Sequence, residues 1–563
     1  MKGVSASRDI VPIWKTSRDA AKSLEVKSLK APVPLDGLNG QGSKILLAEF
    51  ESNRSLGVAA DLLNIALLEG DQDALKISAE FVFSHELATP ELLRISGDIL
   101  GNENNRLTDY ADRNISALRT RLKENSNNPL AWADLARAYA IINEKDKAQR
   151  AMLVALRYAS HHRWVCRAAS RLFVHFEEPG QALRLLHQNP NLKQDPWLLS
   201  TELAVSRLAS RPLKNWGQAK KLAESSINPV HLSELASSIG TSEILGGADK
   251  KAKNYFRQAL ISPNSNSLAQ VKWADRSFNL GFSKQIVSSL QSVSSAFEAR
   301  HWEAYERKDI VSAIEYAKQW WEEEPYSTSP PQAIGYMGSL LNDVGLVYEN
   351  TKVALERNPT DITLKLNDIY ARACLFGFDE RVKFAITEKD ISYLKSIMSG
   401  EDKDYAAHAY ANAGLICYRL GALDKGREFY DGAKQYFEKK RDDAVLFLII
   451  NHYREALISG ASWSAIIEDE LRLKLSGAKT VTSPAAEFYL QQIDRLVGAP
   501  GNWDEKLSKP FAVLPGRPSV LRAEEKKPLV GYVERFWLPD DFITQNGLKI
   551  LLGTSSSGNK NKK

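Results

Sequence analysis

The side chains with chemical potential are few and widely scattered. His162 and Cys166 stand four residues apart in "HHRWVC", on one face of a helix. A zinc site takes three or four protein ligands. His175 and His187 fall nearby at spacings that do not complete one. The pattern predicts a core cysteine with histidines at a helix start, and no metal. "GLNGQGSK" (residues 37–44) is rich in glycine but lacks the preceding strand and the Gly-Lys-Ser/Thr order of a phosphate loop, so it reads as linker. The acidic residues 322–324 end a helix before Pro325 and read as a solvated face, like the cluster Glu468, Asp469 and Glu470. The basic stretch Arg207, Arg211, Lys214, Lys220 and Lys221, with Trp216 among them, is the one nucleic-acid candidate: cations for phosphates and an indole for stacking. Glu202 and Glu224 dilute its field. Neither a nucleophile elbow nor a helix-borne His-Glu-x-x-His motif is present. No catalytic residue and no cofactor are expected.

Composition narrows the classes. An apolar fraction of 44% is that of a folded soluble protein. A formal charge of +5, with 74 basic against 69 acidic residues, calls for neither a nucleic acid nor an anionic membrane. Cys166, Cys374 and Cys417 are odd in number and far apart, which predicts no disulfide framework and fits a reducing, cytoplasmic setting. The N-terminus lacks the apolar stretch of a secretory signal. The longest pure apolar run, "AVLFLII" at 444–450, is far short of the roughly 18 residues a membrane span needs.

The elements that would position any site are helices. Residues 1–48 read as an extended arm or linker, and the 3.6-residue period takes over from about 49 to 495. Within it, Trp132, Leu135, Ala136 and Tyr139 line one face of a first helix. A polar turn follows, and Ala148, Met152 and Ala155 line one face of a second helix. So short a connection predicts antiparallel packing. The pattern returns around Ala219 and Ala223, around Ala252, Phe256 and Ala259, and around Ala313, Ala317, Trp320 and Pro325. It recurs at Gly335, Ala354 and Pro359, then at Tyr410, Gly414, Gly421, Gly426, Tyr430 and Ala433. Trp132, Trp164 and Trp197 follow one another at 32 and 33 residues.

These positions resemble the tetratricopeptide repeat (TPR) family, whose units run to about 34 residues with Trp, Leu, Gly/Ala and Tyr on the first helix and Ala, Phe and Ala on the second. Met152 replaces the Phe in the clearest unit, and several units are degenerate. The resemblance implies an all-α, right-handed superhelical solenoid of roughly a dozen hairpins. It divides the chain into the arm (1–48), loosely matching hairpins (49–127), the repeat array (128–495), a proline-containing extension with a short strand and helix (496–552) and a basic tail (553–563).

In the TPR family the first helices line a groove that takes peptides or partner proteins. The resemblance puts Ala133, Arg137, Ala140 and Ile141 there in the clearest unit, and Trp302, Tyr305 and Glu306 in a later one. The next units contribute Gln332, Tyr336 and Leu340, then Leu415, Tyr418 and Arg419. The side chains able to anchor a partner are Arg137, Trp302, Tyr305, Tyr336, Tyr418 and Arg419. Ala133, Glu298, Gln332 and Ala411 stand where the first lysine of a carboxylate clamp would be, so a chaperone-tail receptor is not expected. The expected function is a non-enzymatic scaffold or adaptor for a protein of unknown identity, as part of a larger complex. The alternative is a helical-repeat nucleic-acid-binding subunit, and a third reading is an enzyme with its site in the extension.

Overall fold

A computed structural model describes residues 8–21, 42–69, 71–85, parts of 87–100, 107–375, 386–437, 442–477 and 484–497. The extension and tail from 498 on, the strand and helix expected there, and glycines 37–41 lie outside the described residues. Among the described residues there are 26 helices and no strand. None of these helices is long and apolar enough to cross a membrane. The chain divides into two compact units, Asp9–Tyr255 and Phe256–Lys563 together with Met1–Arg8.

The first unit begins with a short helix, α1 (Ser17–Ala21), followed by α2 (Gly42–Ser52), α3 (Leu56–Glu69) and α4 (Gln72–Ser84). Helicity thus resumes at Gly42, inside the stretch that the glycines and prolines mark as linker. Leu46, Leu47 and Phe50 explain the early start, because they give the helix an apolar face against Ala59, Leu62, Leu63 and Leu75. α5 (Leu107–Glu124) leads into four hairpins. Their first helices are α6 (Pro129–Ile141), α8 (Arg163–His175), α10 (Pro196–Leu208) and α12 (Pro229–Leu245). Their second helices are α7 (Lys145–Ala159), α9 (Pro179–Gln188), α11 (Trp216–Ala223) and α13 (Asp249–Ala259), the last crossing the boundary between the units.

Two local signals set this period. The side chains of Asn128, His162, Asp195 and Asn228 cap the four first helices by accepting backbone N–H bonds. In three of the four, proline follows the cap, where its missing N–H costs nothing. At the other end, Asn143, Glu177, Ser210 and Gly247 turn left-handed, with φ of 57°, 61°, 51° and 78°. The next residue's N–H then reaches back to close a Schellman-type cap: Glu144 to the Tyr139 carbonyl, Glu178 to Phe173, Arg211 to Ser206 and Ala248 to Glu243, at 2.9, 2.7, 2.8 and 2.8 Å. α6, α8 and α10 each pack on their own second helix and on the next first helix, as α6 does on α7 and α8, and α10 on α11 and α12.

The second unit repeats the device. Its first helices are α14 (Ser265–Phe278), α16 (Phe297–Glu306), α18 (Ser329–Leu340), α20 (Ile362–Leu375), α22 (Lys403–Arg419), α24 (Asp442–Ile458) and α26 (Pro484–Val497). Between them run α15 (Ser283–Ser292), α17 (Ile310–Glu323), α19 (Val344–Arg357), α21 (Glu388–Met398), α23 (Leu423–Phe437) and α25 (Ser464–Gly477). Lys308, Asn342, Gly421 and Gly460 are left-handed turn residues of four of its hairpins, while Asn279 and Gly281 turn left-handed after α14. The N–H groups of Asp309, Asp343, Ala422 and Ala461 close the same bond to Ala304, Gly338, Cys417 and Ala456, each at 2.9 Å. The helices of one hairpin approach closely: a Cβ on Gly414 would sit 2.6 Å from the Tyr430 ring, and one on Gly426 2.9 Å from the Tyr418 ring. Glycine at both positions is therefore a packing requirement.

Candidate protein-binding faces

In the first unit the first-helix face carries an occupant, the chain's own residues 9–21. The segment has no regular secondary structure as far as Thr16, with the Val11 N–H bonded back to the Asp9 carbonyl, and then turns into α1. Its side chains alternate: Ile10, Pro12 and Trp14 are buried, while Val11, Ile13 and Lys15 are half-buried. This is the two-residue period of an extended chain lying on a surface. Polar contacts fix it at three points. Asp9 accepts from Arg207 Nε at 2.7 Å, and the same guanidinium donates to the Ser238 carbonyl (3.3 Å) and to Ser242 Oγ (2.6 Å). Arg137 Nε donates to the backbone carbonyl of Trp14 at 2.9 Å. The Asp134 carboxylate accepts from both the backbone N–H (2.7 Å) and the hydroxyl (2.5 Å) of Ser17, which opens α1. Burial pushes the Asp134 carboxyl up to about 6, against the pull of those two bonds and of Arg137.

Further along the same helices is a buried pair. Arg167 on α8 meets Glu234 on α12 at 2.9 Å, lies over the Trp197 ring and donates to the Trp197 carbonyl at 3.1 Å. The surface is therefore of mixed charge, and each cation named on it has an acid or a carbonyl as partner.

In the second unit, Arg8 is held by the corresponding helices. Its guanidinium forms a two-pronged pair with Glu298 (2.7 and 2.8 Å) and donates to Gln270 (2.7 Å) and Asn266 (3.0 Å). Gln270 in turn donates to the Arg8 carbonyl at 2.9 Å. Glu298 is one of the residues that the repeat resemblance set at the clamp-lysine position. The charge is reversed, and so is the ligand: the position takes a cation. Beside it, Lys272 is fully buried between Glu303 (2.5 Å) and Glu306 (2.6 Å). Arg276 lies 3.8 Å above the Trp302 ring.

The anchor residues named from the repeat register have varied surroundings. Arg137 binds the arm. Trp302 and Tyr305 are 6% and 7% exposed, in edge contact with each other, and the Tyr305 hydroxyl lies 3.4 Å from that of half-buried Tyr336. Tyr418 is fully buried, with its hydroxyl 2.7 Å from His452 Nε2. Arg419 pairs with Glu455 at 2.9 Å. Three of these tyrosines and the tryptophan thus pack inside the unit.

The interior of that unit is closed by α26. Gln492 donates to the Ser339 and Leu340 carbonyls at the end of α18, both at 2.9 Å, and so satisfies groups that the helix end leaves open. Arg454 donates to Gln492 (2.8 Å) and to Glu455 (3.0 Å), and Tyr489 meets Ser339 at 3.1 Å.

The residues considered for other chemistry are engaged structurally. His162 caps α8. Cys166 donates to the Ser160 carbonyl at 2.9 Å, and burial pushes its thiol up to about 11, so it stays protonated at neutral pH. Among the described residues no three His, Cys, Asp or Glu side chains gather as metal ligands. Within the basic stretch, Arg207 pairs with Asp9, and Lys220 pairs with Glu243 (2.6 Å) while covering Trp216.

The arm contacts were not found from the sequence. Residues 10–14, "IVPIW", are apolar throughout, so no alternation marks which side faces a surface. The Asn-Pro and Asp-Pro pairs at 128, 195 and 228 were the available signal for the register of the helices beneath. No protein-family model and no curated protein matches the chain.

Proposed function

We propose that the protein is a non-enzymatic, cytoplasmic scaffold or adaptor. In this reading the repeated hairpins form a TPR-like, right-handed solenoid whose first helices bind an extended segment of another protein. The observation that carries it is the seating of residues 9–21. The first helices of one unit bury alternate apolar side chains of an extended chain and fix its backbone through Arg137. That is how a peptide is recognised. The buried protonated thiols fit a reducing compartment. The nucleic-acid alternative loses ground because Arg207 and Lys220 are neutralised by Asp9 and Glu243.

The test is affinity purification of the full chain from its native cell, followed by lysine cross-linking and mass spectrometry. Cross-links to a co-purifying protein should concentrate at Lys365 and Lys403, on first helices, rather than at Lys147, Lys318 and Lys434 on second helices. Recovery of salt-sensitive nucleic acid without a protein partner would contradict the reading.

A further inference from the structure

We propose that the first-helix face of residues 129–245 binds an extended segment of a partner protein built like the arm, and that residues 9–21 are its resident competitor. The pattern is an acid, apolar side chains at every second position ending in an indole, and a serine three residues further on. The proposal rests on the protein-binding reading above and names the partner's chemistry.

Three features carry it. First, none of the fixing bonds needs the arm to belong to this chain. Arg207 reads a carboxylate, Arg137 reads a main-chain carbonyl, and Asp134 reads an N–H and a hydroxyl. Any segment presenting those groups at the same spacing would make the same bonds. Second, the extended part of the arm carries no helix or strand. The Asp9 carboxylate and the Trp14 carbonyl both bond to the face, at Arg207 and Arg137. Third, a partner is a better occupant than a second copy of this chain. A second copy brings the identical segment, which gains no contact over the tethered arm and adds the cost of association, while the tethered arm acts at a millimolar effective concentration. Only a segment that fits better, or an arm that is weakened, shifts the occupancy.

Ser17 is the lever. Its hydroxyl donates to the buried Asp134 carboxylate, so a carboxylate placed at 17 would face a like charge there. The probe is a fluorescein-labelled synthetic peptide of residues 9–21, titrated by anisotropy against the full chain. Its binding to wild type should be weak, because the tethered arm competes. The full-length Ser17→Asp variant should bind the wild-type peptide at least tenfold more tightly. Adding Arg207→Glu to that variant should remove the gain, and a peptide carrying Trp14→Ala should not bind either chain. Where Ser17→Asp does not fold, the full-length Trp14→Ala variant serves in its place.

Equal affinity of wild type and released variant, with hydrogen exchange showing the arm freed, would overturn the proposal. So would an arm that stays protected in both variants. A wild-type dimer that Ser17→Asp dissolves would assign the face to a second copy instead, and would also overturn it. Failure of the peptide would leave the scaffold reading standing, since its cross-links are sought on helices of the other unit.

Discussion

In residues 9–255 the first helices of the hairpins face an extended piece of the chain's own N-terminus, while in residues 256–563 helices of the same class face another helix, α26. Four hairpins in each share the left-handed turn residue and the bond that closes it. What differs is how the occupant is held. The arm is fixed by bonds that include those of Asp9, Ser17 and the Trp14 carbonyl, with Ile10 and Trp14 as its apolar anchors. α26 is fixed by a buried network in which Arg454, Glu455 and Arg419 share charge and Gln492 caps α18. A few anchors on an extended chain suit exchange, whereas a buried ionic network suits permanence, because removing either partner strands a charge.

The comparison can be broken at its strongest point first. Glu455→Ala would leave Arg454 and Arg419 without their acid, and we expect a loss of about 3–5 kcal/mol. Hydrogen exchange should rise across α22, α24 and α26 and stay unchanged across α6–α12. Trp14→Ala should weaken arm docking by about 3 kcal/mol, since it deletes a side chain that is 1% exposed. Faster exchange should then appear in residues 9–21 and α6, with the helices of the second unit unaffected.

A pH series sharpens the contrast because the two regions respond with opposite sign. Burial raises Asp134 from 3.8 to about 6 although the two Ser17 bonds pull it down, so the folded first unit holds the extra proton between those values. That contribution to the first unit's stability is complete below 3.8 and is lost as the pH rises through about 6. His452, buried between Tyr418 and Tyr430, is pushed down from 6.5 to about 3. Its contribution is complete above 6.5 and is lost as the pH falls toward 3. From pH 7 to 5, exchange in α6, which carries Asp134, should slow by up to about tenfold, while exchange in α24 should quicken.

The smallest effect is at the shared turn. Glu177 is exposed and left-handed, with φ of 61°. Glu177→Gly should therefore stabilise the first unit by up to about 1 kcal/mol, read as a shift in thermal midpoint. A loss of stability there would show that the turn geometry carries no strain.

The hairpins were legible because packing writes itself into residue type. Trp132, Ala136, Ala148 and Met152 keep a helical period, and Gly414 and Gly426 are glycines since tyrosine rings occupy the space of a Cβ. The turns were less legible: left-handed φ falls on Glu177, Ser210 and Lys308, types that do not announce it. The repeat register places Trp302, Tyr305 and Tyr418 on first helices, but their exposure depends on tertiary neighbours such as Arg276, Tyr336 and His452, which no local pattern reveals. Arg137 and Asp134 share α6 with the repeat's signature residues. Their partners lie more than a hundred residues away, at Trp14 and Ser17. A contact of that range leaves no periodic trace.

The central claim is that these first helices hold an extended peptide, and the arm is the peptide at hand. Hydrogen exchange of the full-length wild type against Ser17→Asp tests it most directly. The account predicts protected amides in residues 9–21 of wild type, and loss of that protection in the variant together with faster exchange in α6 and α10. Amides in residues 9–21 exchanging at the unprotected rate in wild type would contradict it.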